Sequence, residues 1–234
     1  MNIEEFKTGI DKLGLTYSQD NLDKLEQYYK ILVEENKYMN LTGITEKTEV
    51  YLKHFYDSLT IIKVINLKNI NNLCDLGTGA GFPGLVIAIM FPNLKVSLVD
   101  SLTKRCNFLQ KVVDSLNLTN VKVIDSRCEE YASKVREHYD VVTARAVAKL
   151  DILLEYSIPL LKVNGLFIPL KANVTKEELM LDNYYKKLGC LLVNKEEFLL
   201  PFENSLRTIL VFKKESKTNI IYPRSYDKMK KIKL

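Results

Sequence analysis

The stretch Asn72-Leu-Cys-Asp-Leu-Gly-Thr-Gly-Ala-Gly-Phe-Pro-Gly84 starts as an apolar run and then places four glycines within eight residues. The apolar run is typical of a buried parallel strand. The residues that follow, Leu85-Val-Ile-Ala-Ile-Met-Phe91, predict a helix packed on a sheet. Glycine takes positive φ and lets a ligand come close to the backbone. A strand, a glycine turn and a helix start together predict a nucleotide-type pocket rather than a turn that only serves packing.

Strand and helix patterns alternate regularly after this turn, which predicts a parallel sheet with helices on both faces. Strands are predicted at Asn72–Leu76, Val96–Val99, Val121–Ile124, Asp140–Thr143 and Leu166–Leu170. Helices are predicted near Gly84–Phe91, Thr103–Leu116, Glu130–Val135 and Leu150–Leu161. After a further predicted helix, Lys176–Leu188, the strands Leu191–Leu199 and Arg207–Phe212 are joined by a short link and predict an antiparallel hairpin.

The residues before the glycine turn predict a small helical extension. Apolar residues recur at three- and four-residue steps through residues 2–38, Ser18 with Asn21 suits a helix start, and another helix is predicted over Glu46–Val64. We therefore expect an α/β fold, a Rossmann-like and mostly parallel seven-stranded sheet with an antiparallel C-terminal hairpin. The expected organisation is a helical extension at 1–66, the main domain at 67–215 and a basic tail at 216–234.

The bulk composition is that of a soluble globular protein. The 234 residues are 47% hydrophobic and 27% charged, no apolar run is long enough to cross a bilayer, and the N-terminus lacks a signal-peptide pattern. The four cysteines are widely spaced, which argues against a zinc site or a disulfide framework. We therefore expect a cytoplasmic protein with no metal and no membrane partner.

Positive charge is concentrated at the C-terminus. Residues 213–234 hold eight Lys or Arg against two acids, so this segment accounts for more than the whole net charge of +5. The segment is either a solvated, frayed end or an arm that meets a phosphate backbone.

The glycines fit two nucleotide motifs. Gly79-Ala-Gly81-Phe-Pro-Gly84 satisfies the dinucleotide pattern G-x-G-x-x-G, with Asp100 about twenty residues later, as that motif also asks. Asp75-Leu-Gly77-Thr-Gly79-Ala-Gly81 instead matches the acid-x-Gly-x-Gly-x-Gly turn of S-adenosylmethionine enzymes. The glycines alone do not choose between an oxidoreductase and a methyltransferase.

Three features favour the methyl donor. The carboxylate of Asp75 could hold the ammonium of a methionine moiety, whereas it would repel a pyrophosphate. Ser126-Arg-Cys-Glu129 puts polar atoms after the third strand, where an adenine edge would lie. The terminal hairpin leaves no second domain for a hydride acceptor, while Asp100, which can accept both ribose hydroxyls, suits either cofactor. We therefore predict a class I S-adenosylmethionine-dependent methyltransferase.

Six segments of the chain, taken jointly and in this order, carry a further resemblance. They are Asn40-Leu-Thr42, Lys53-His-Phe-Tyr-Asp-Ser58, Asp75 to Gly84, Asp100-Ser-Leu-Thr-Lys-Arg105, Ser126-Arg-Cys-Glu129 and Thr143-Ala-Arg-Ala146. Together they resemble the bacterial small-subunit ribosomal RNA guanine-N7 methyltransferases, also called the glucose-inhibited division protein B family.

The resemblance implies S-adenosylmethionine as the donor and a guanine in the decoding-region loop of 16S ribosomal RNA as the acceptor, met as RNA or in the small ribosomal subunit. It implies donor contacts at Gly77, Phe82, Cys128, Glu129 and Arg145, with Asp100 in the ribose role of the wider fold. The chain departs from the family at Cys128, where valine is more common. It also departs in the tail, which keeps only the Pro-Arg and Lys-Lys of the family ending.

The chemistry of guanine N7 agrees with the residues present. N7 carries no proton, so it can attack the sulfonium methyl without a general base, and catalysis rests on orientation. The chain has only two histidines, and Thr143-Ala-Arg-Ala146 stands where amino-group methyltransferases carry Asn/Asp-Pro-Pro-Tyr/Phe. Arg145 is the candidate catalytic residue. A methyltransferase of the same fold that acts on a small molecule or a protein stays open as the alternative, and we expect a monomer.

Overall fold

A seven-stranded sheet forms the centre of the computed structural model, which describes residues 1–145, 148–172, 174 and 182–231, with 182, 230 and 231 described without side chains. The strands are β1 (Asn72–Leu76), β2 (Lys95–Asp100), β3 (Val121–Asp125), β4 (Tyr139–Arg145), β5 (Leu161–Lys171), β6 (Cys190–Leu199) and β7 (Leu206–Lys214). Their order is β3-β2-β1-β4-β5-β7-β6. Strands β1 to β5 run parallel, and β7 and β6 add to β5 as an antiparallel pair, which confirms the predicted fold.

The strand order reverses at the centre of the sheet, where β1 lies beside β4. In open α/β sheets, ligands bind outside the carboxyl ends of the strands at this switch point. The glycine turn leaves β1 at that place, so the topology puts it at the expected binding edge.

Helices and two hydrophobic clusters flank the sheet. The helices are α1 (Ile3–Lys12), α2 (Gln19–Met39), α3 (Lys47–Val50), α4 (Asp57–Leu59), α5 (Gly84–Met90), α6 (Thr103–Ser115), α7 (Cys128–Lys134), α8 (Leu150–Ser157), α9 (Asp182–Leu188) and α10 (Tyr226–Lys231). Leu73 belongs to one cluster and its neighbours Cys74 and Leu76 belong to the other. Since successive strand residues point to opposite faces, both faces of the sheet are covered.

Two predicted boundaries differ from the structure. The helix predicted over Leu150–Leu161 ends at Ser157, because Pro159 has no N–H for a helical hydrogen bond. Strand β5 then starts at Leu161, five residues earlier than predicted, and an irregular register against β4 accommodates the extra residues. The first part of the helix predicted over 176–188 lies outside the described residues, and α9 is its remainder.

The helical extension begins as predicted and is capped at both ends of α2. Asn21 N–H donates to Ser18 Oγ at 3.2 Å, and Ser18 N–H donates to Asn21 Oδ1 at 2.9 Å, which forms a capping box. Asn40 ends the helix with a left-handed φ of 48°. The start at Ser18 is therefore confirmed.

The segment predicted as one helix over 46–64 changes its winding. A π-helix, Tyr51–Tyr56, joins α3 to α4, and a 3₁₀ turn at Thr60–Lys63 follows. Single π-helical turns are rare and frequently mark functional sites. This one carries His54 and leads directly into Asp57, and both side chains are buried.

The extension shares its core with the sheet. The rings of Tyr28, Tyr51 and Phe55 are fully buried in the same hydrophobic cluster as Leu73 and α5. The hydroxyl of Tyr28 donates to the carbonyl of Ala80 inside the glycine turn. The extension therefore supports the turn directly, and the predicted boundary between 66 and 67 stays a prediction.

Part of the basic C-terminal segment is interior structure. Lys214, at the end of β7, is fully buried, and its Nζ donates to the carbonyl of Leu161 at 2.8 Å. Arg136 donates to the carbonyl of Tyr222 at 2.7 Å and to that of Thr218 at 2.8 Å. These bonds hold the segment against the domain, so its charge is not all available to a phosphate backbone.

A buried carboxylate anchors the same segment. Glu155 of α8 has no solvent exposure. Arg224 donates to it from its backbone N at 2.9 Å, from Nε at 2.9 Å and from Nη2, and the hydroxyl of Tyr184 adds a fourth donor. Hydrogen bonds from a paired cation are what makes a buried carboxylate tolerable.

Removal of this cation should destabilise the protein. We expect Arg224→Met to lower the free energy of unfolding by about 3 kcal/mol, because it leaves the Glu155 carboxylate buried without its cation. Urea denaturation measures the change. The exposed Lys217→Met is the control and should shift stability by less than about 0.5 kcal/mol. Glu155→Gln added to Arg224→Met should recover part of the loss, and an equal loss in all three proteins would contradict this account.

Candidate functional site

A buried carboxylate holds the glycine turn from below. Asp75 in β1 is fully buried, and its Oδ2 accepts the hydroxyl of Thr78 at 2.6 Å and the N–H of Gly84 at 2.8 Å. These bonds tie the end of the strand to the first residue of α5. Asp75 Oδ1 has no hydrogen-bond partner among the described residues. Burial raises the pKa of Asp75 to about 7, although both hydrogen bonds oppose the rise.

Two glycines are needed in this turn for different reasons. At Gly84 a Cβ would lie 2.8 Å from Asp75 Oδ2, so only glycine allows the close approach of strand and helix. Gly79 has a φ of +62°, which disfavours any other residue, and a Cβ there would enter open space. The N–H of Gly79 donates to Asp100 Oδ2 at 2.9 Å.

A cavity of about 420 Å³ lies over the turn, and we name it the glycine-turn cavity. Its volume is in the range of ligand pockets, about 300–1,000 Å³. The cavity brings together five residues of the predicted donor site with His54. Those five are Gly77, Phe82, Asp100, Cys128 and Arg145.

Two residues that the sequence predicts to contact the donor are not among those that line the glycine-turn cavity. Glu129 lies in the first turn of α7, next to Cys128, and is not among the residues that line the glycine-turn cavity. Asp75 is also absent from that lining, because its carboxylate is buried beneath the turn. This position does not support the predicted contact of Asp75 with the donor ammonium. The donor role of Glu129 stays a prediction.

Asp100 stands at the carboxyl end of β2 and lines the glycine-turn cavity. Oδ2 accepts the N–H of Gly79, and Oδ1 accepts the N–H of Leu102 at 3.0 Å. The guanidinium of Arg105 lies 3.7 Å from Oδ2. An ionised carboxylate offers about four lone-pair sites, so acceptor capacity remains for the hydroxyls of a ribose.

Phe82 is part of an aromatic stack on the other side of the cavity. Its ring stacks on His54 with centroids 4.3 Å apart and an interplanar angle of 18°. The guanidinium carbon of Arg145 lies 5.1 Å from the same ring. Phe82 therefore both closes the core beneath the turn and presents an apolar surface to the cavity.

The hydrogen bonds of His54 define its protonation. Nδ1 lies 3.3 Å from Arg145 Nη2, and Nε2 lies 2.8 Å from Thr42 Oγ1. A guanidinium can only donate, so Nδ1 accepts and the proton sits on Nε2. Burial, with help from the positive charge of Arg145, lowers the pKa of His54 to about 3. The imidazole is therefore neutral at physiological pH.

A second cavity of about 510 Å³ adjoins the first, and we name it the β4–β5 cavity. It lies at the carboxyl ends of those strands, and His54 and Arg145 line both cavities. Asp57 and Arg207 also line it, with Arg207 Nε 3.0 Å from Asp57 Oδ1 and 3.1 Å from Oδ2. Sequence reasoning missed Arg207, because its partner lies 150 residues away and no local motif contains both.

The chemistry of the glycine-turn cavity fits an adenosyl sulfonium donor. A carboxylate with spare acceptor capacity closes β2, the turn leaves open space at Gly79, and the side chain of Phe82 lines the cavity. Within the described residues, no set of three or more His, Cys, Asp or Glu is arranged to hold a metal ion. No described helix is both long enough and apolar enough to cross a membrane.

The fold and the site define an S-adenosylmethionine-dependent methyltransferase. A SAM dependent methyltransferase from Aquifex aeolicus aligns with a TM-score of 0.53 at 18% identity, over 72% of this chain and 94% of that chain. M. jannaschii TYW2 in complex with AdoMet aligns with a TM-score of 0.52 at 16% identity, over 86% of this chain and 78% of that chain. At these identities, the two likenesses show the shared fold.

The chain belongs to the family described as rRNA small subunit methyltransferase G, whose model matches residues 21–197. The Ribosomal RNA small subunit methyltransferase G of Bacillus subtilis (strain 168) is 49% identical over 230 residues, which cover 96% of this chain and 95% of that protein. The family resemblance found in the sequence is confirmed.

The raised pKa of Asp75 predicts a pH dependence of stability. The folded state holds the Asp75 proton up to about pH 7, whereas the unfolded chain releases it near 3.8. Between these values the folded state binds more protons, so stability falls as pH rises, by as much as about 1.4 kcal/mol per pH unit. We expect Asp75→Asn to flatten this part of the profile, since the amide keeps an acceptor for Gly84 and Thr78 but does not titrate.

Urea unfolding at intervals between pH 4 and pH 8 measures both profiles. The exposed Asp23→Asn is the matched control and should follow the parent protein. Parallel profiles for the parent protein and Asp75→Asn would show that Asp75 ionises in the folded state as it does in the unfolded chain.

Proposed function

We propose that this protein transfers a methyl group from S-adenosylmethionine to N7 of a guanine in the decoding-region loop of 16S ribosomal RNA. When bound, S-adenosylmethionine would supply a sulfonium methyl group, and its bond to sulfur would break as the N7 lone pair forms the new bond. Family membership supports ribosomal RNA as the acceptor. The glycine-turn cavity, which Asp100 and Phe82 both line, supports the donor.

The protonation and hydrogen bonds of His54 are the observation that supports N7 as the acceptor atom. Among the described residues, His54 is the only imidazole that lines either of these two cavities. Its Nδ1 lone pair faces the guanidinium of Arg145, and its low pKa keeps it from accepting a proton at neutral pH. A hydroxyl or amine acceptor has a proton to lose, whereas N7 has none. This imidazole is therefore unsuited to act as a general base, which favours an acceptor that needs only orientation.

Cys128, which lines the glycine-turn cavity, also favours N7 as the acceptor. Burial raises the pKa of Cys128 to about 12, with the negative charge of Glu129 as the next cause. Cys128 is therefore a thiol and not the thiolate that methylation of a pyrimidine carbon requires. Methyl transfer to a ring nitrogen with a free lone pair remains the chemistry that suits the site.

Arg145 has a positioning task in this proposal. Its guanidinium donates to the carbonyl of Lys53 at 3.1 Å and contacts His54, which fixes it between the two cavities. A guanidinium has five N–H groups, so donors remain for O6 of a guanine or for a phosphate. We further propose that the protein acts as a cytoplasmic monomer on 16S RNA or the small ribosomal subunit.

The acceptor is tested by mass spectrometry of ribosomal RNA from cells with and without this protein. We expect one 7-methylguanosine of 16S RNA to disappear when the protein is absent and to return when it is supplied again. Unchanged RNA, together with labelled methyl groups on a protein or a small molecule, would instead establish the alternative substrate class.

The donor site is tested by Asp100→Asn. The substitution replaces one acceptor oxygen with a donor amide, so we expect S-adenosylhomocysteine to bind at least about tenfold more weakly in isothermal titration, as for the loss of a hydrogen bond to a charged group. The control is Asp125→Asn. Asp125 pairs with Asp100 in the register of β3 but is exposed and does not line the glycine-turn cavity. Equal affinity in both variants would contradict the ribose role of Asp100.

A further inference from the structure

We propose that the β4–β5 cavity receives the acceptor guanine, unstacked from its RNA, and that Asp57 and Arg207 bind its outer edge. This inference rests on the proposed function. It adds the place and orientation of the base, and it assigns binding roles to a residue of α4 and a residue of the C-terminal hairpin.

The position of the cavity is the first reason. Methyl transfer needs the attacking atom within about 3–3.5 Å of the methyl carbon. His54 and Arg145 line both the β4–β5 cavity and the glycine-turn cavity, so the two cavities are neighbours at the carboxyl edge of the sheet. Two other cavities in the described part of the chain, one beside Thr119 and one beside Phe202, share no lining residue with the glycine-turn cavity.

The surface of the cavity suits a flat heterocycle. Half of the residues that line it are apolar, and three of these are alanines with small side chains: Ile44, Ala144, Ala148, Leu153, Leu170 and Ala172. Lys53 and Lys171 also line the cavity. A purine has apolar faces and a polar rim, so it can fill such a space with its faces against the walls. A base within a helix cannot reach the cavity, and enzymes that modify bases commonly swing the target out of its stack.

The polar groups of the cavity match the rim of guanine. Asp57 supplies carboxylate oxygens, and the N–H groups of Arg207 and Arg145 flank it, with Arg145 Nη1 3.6 Å from Asp57 Oδ2. Guanine presents N1–H and the 2-amino group as donors beside O6 as an acceptor, whereas adenine has a donor amine at position 6 and no proton on N1. Asp57 can accept from the guanine donors while a guanidinium donates to O6. N7 lies on the opposite side of the purine from the 2-amino group and is left free to face the donor.

Arg207 is itself held in place for this task. Its Nη1 donates to Ser205 Oγ and to the carbonyl of Leu206, both at 3.1 Å, and its Nε holds Asp57. These bonds fix the plane of the guanidinium, so it loses little conformational freedom when a base binds. The hairpin and the helical extension therefore close the cavity together.

The test compares two variants that each fill one cavity. Ala148→Phe places a ring in the β4–β5 cavity, and Cys128→Phe places one in the glycine-turn cavity. Each is assayed for binding of S-adenosylhomocysteine by titration and for methyl transfer to small ribosomal subunits that lack the modification. We expect Ala148→Phe to bind S-adenosylhomocysteine within about twofold of the parent protein but to lose at least about a hundredfold in transfer, whereas Cys128→Phe should lose binding as well.

A second measurement tests the proposal even if Ala148→Phe or Cys128→Phe does not fold. Subunits are reconstituted with RNA that carries either guanine or inosine, which lacks the 2-amino group, at the target position. The parent protein should prefer guanine on the order of tenfold in kcat/KM, as for a good base contact. Asp57→Asn should reduce that preference to near unity. The ratio within one variant does not depend on donor affinity or on the folded fraction.

The outcomes separate the two proposals. If the parent protein places no methyl group on guanine N7, the proposed function fails. If it does so, but Ala148→Phe transfers at the parent rate or Asp57→Asn keeps the full preference for guanine, the proposed function stands and the assignment of this cavity fails.

Discussion

The arrangement of the site at the carboxyl edge of the sheet depends on the contacts of one side chain, the partly buried guanidinium of Arg145. Arg145 ends β4, but its partners, the carbonyl of Lys53, the ring of His54 and the carboxylate of Asp57, all come from the helical extension. Burial lowers the pKa of Arg145, which means that it disfavours the charge. Since a buried cation is tolerated only when it is compensated, these partners fix how the extension lies on the sheet. Arg145 and His54 line both cavities, so this contact shapes the edge where the two cavities meet.

The polar groups of the site are largely committed to one another. Asp75 holds the glycine turn, His54 gives its lone pair to Arg145, and Asp57 holds Arg207. A general base needs a free lone pair and a pKa near the working pH, and His54 offers neither. Asp75 has a pKa of about 7, but it lies beneath the turn and is not among the residues that line either cavity. A site built in this way acts by placing two reactants in fixed positions, which agrees with the proposed transfer to an unprotonated ring nitrogen.

The sequence predicted features that depend on residues close together in the chain, and it failed where residues distant in the chain make the contact. The sequence predicted the strands, the glycine turn and the helix start at Ser18. Apolar runs, glycines and capping residues determine the backbone within a few residues of their own position. The positive charge of the C-terminal segment did not predict whether its side chains are exposed or buried. Lys214 and Arg224 are paired with Leu161 and Glu155, which are distant in the chain, so they serve the interior. Glycine spacing located Asp75 correctly, but only the structure placed its carboxylate beneath the turn.

The sequence alone determined the parallel sheet, the position of the glycine turn, the methyltransferase class and the family, because these depend on local patterns and ordered motifs. The tertiary structure alone decided which side chains meet at the carboxyl edge of the sheet. The pairing of Asp57 with Arg207, 150 residues apart, exists because the helical extension and the C-terminal hairpin meet at the lining of one cavity. Chain spacing does not encode such a contact. It arises when burial of apolar surface brings distant segments together and their charged groups must then find partners.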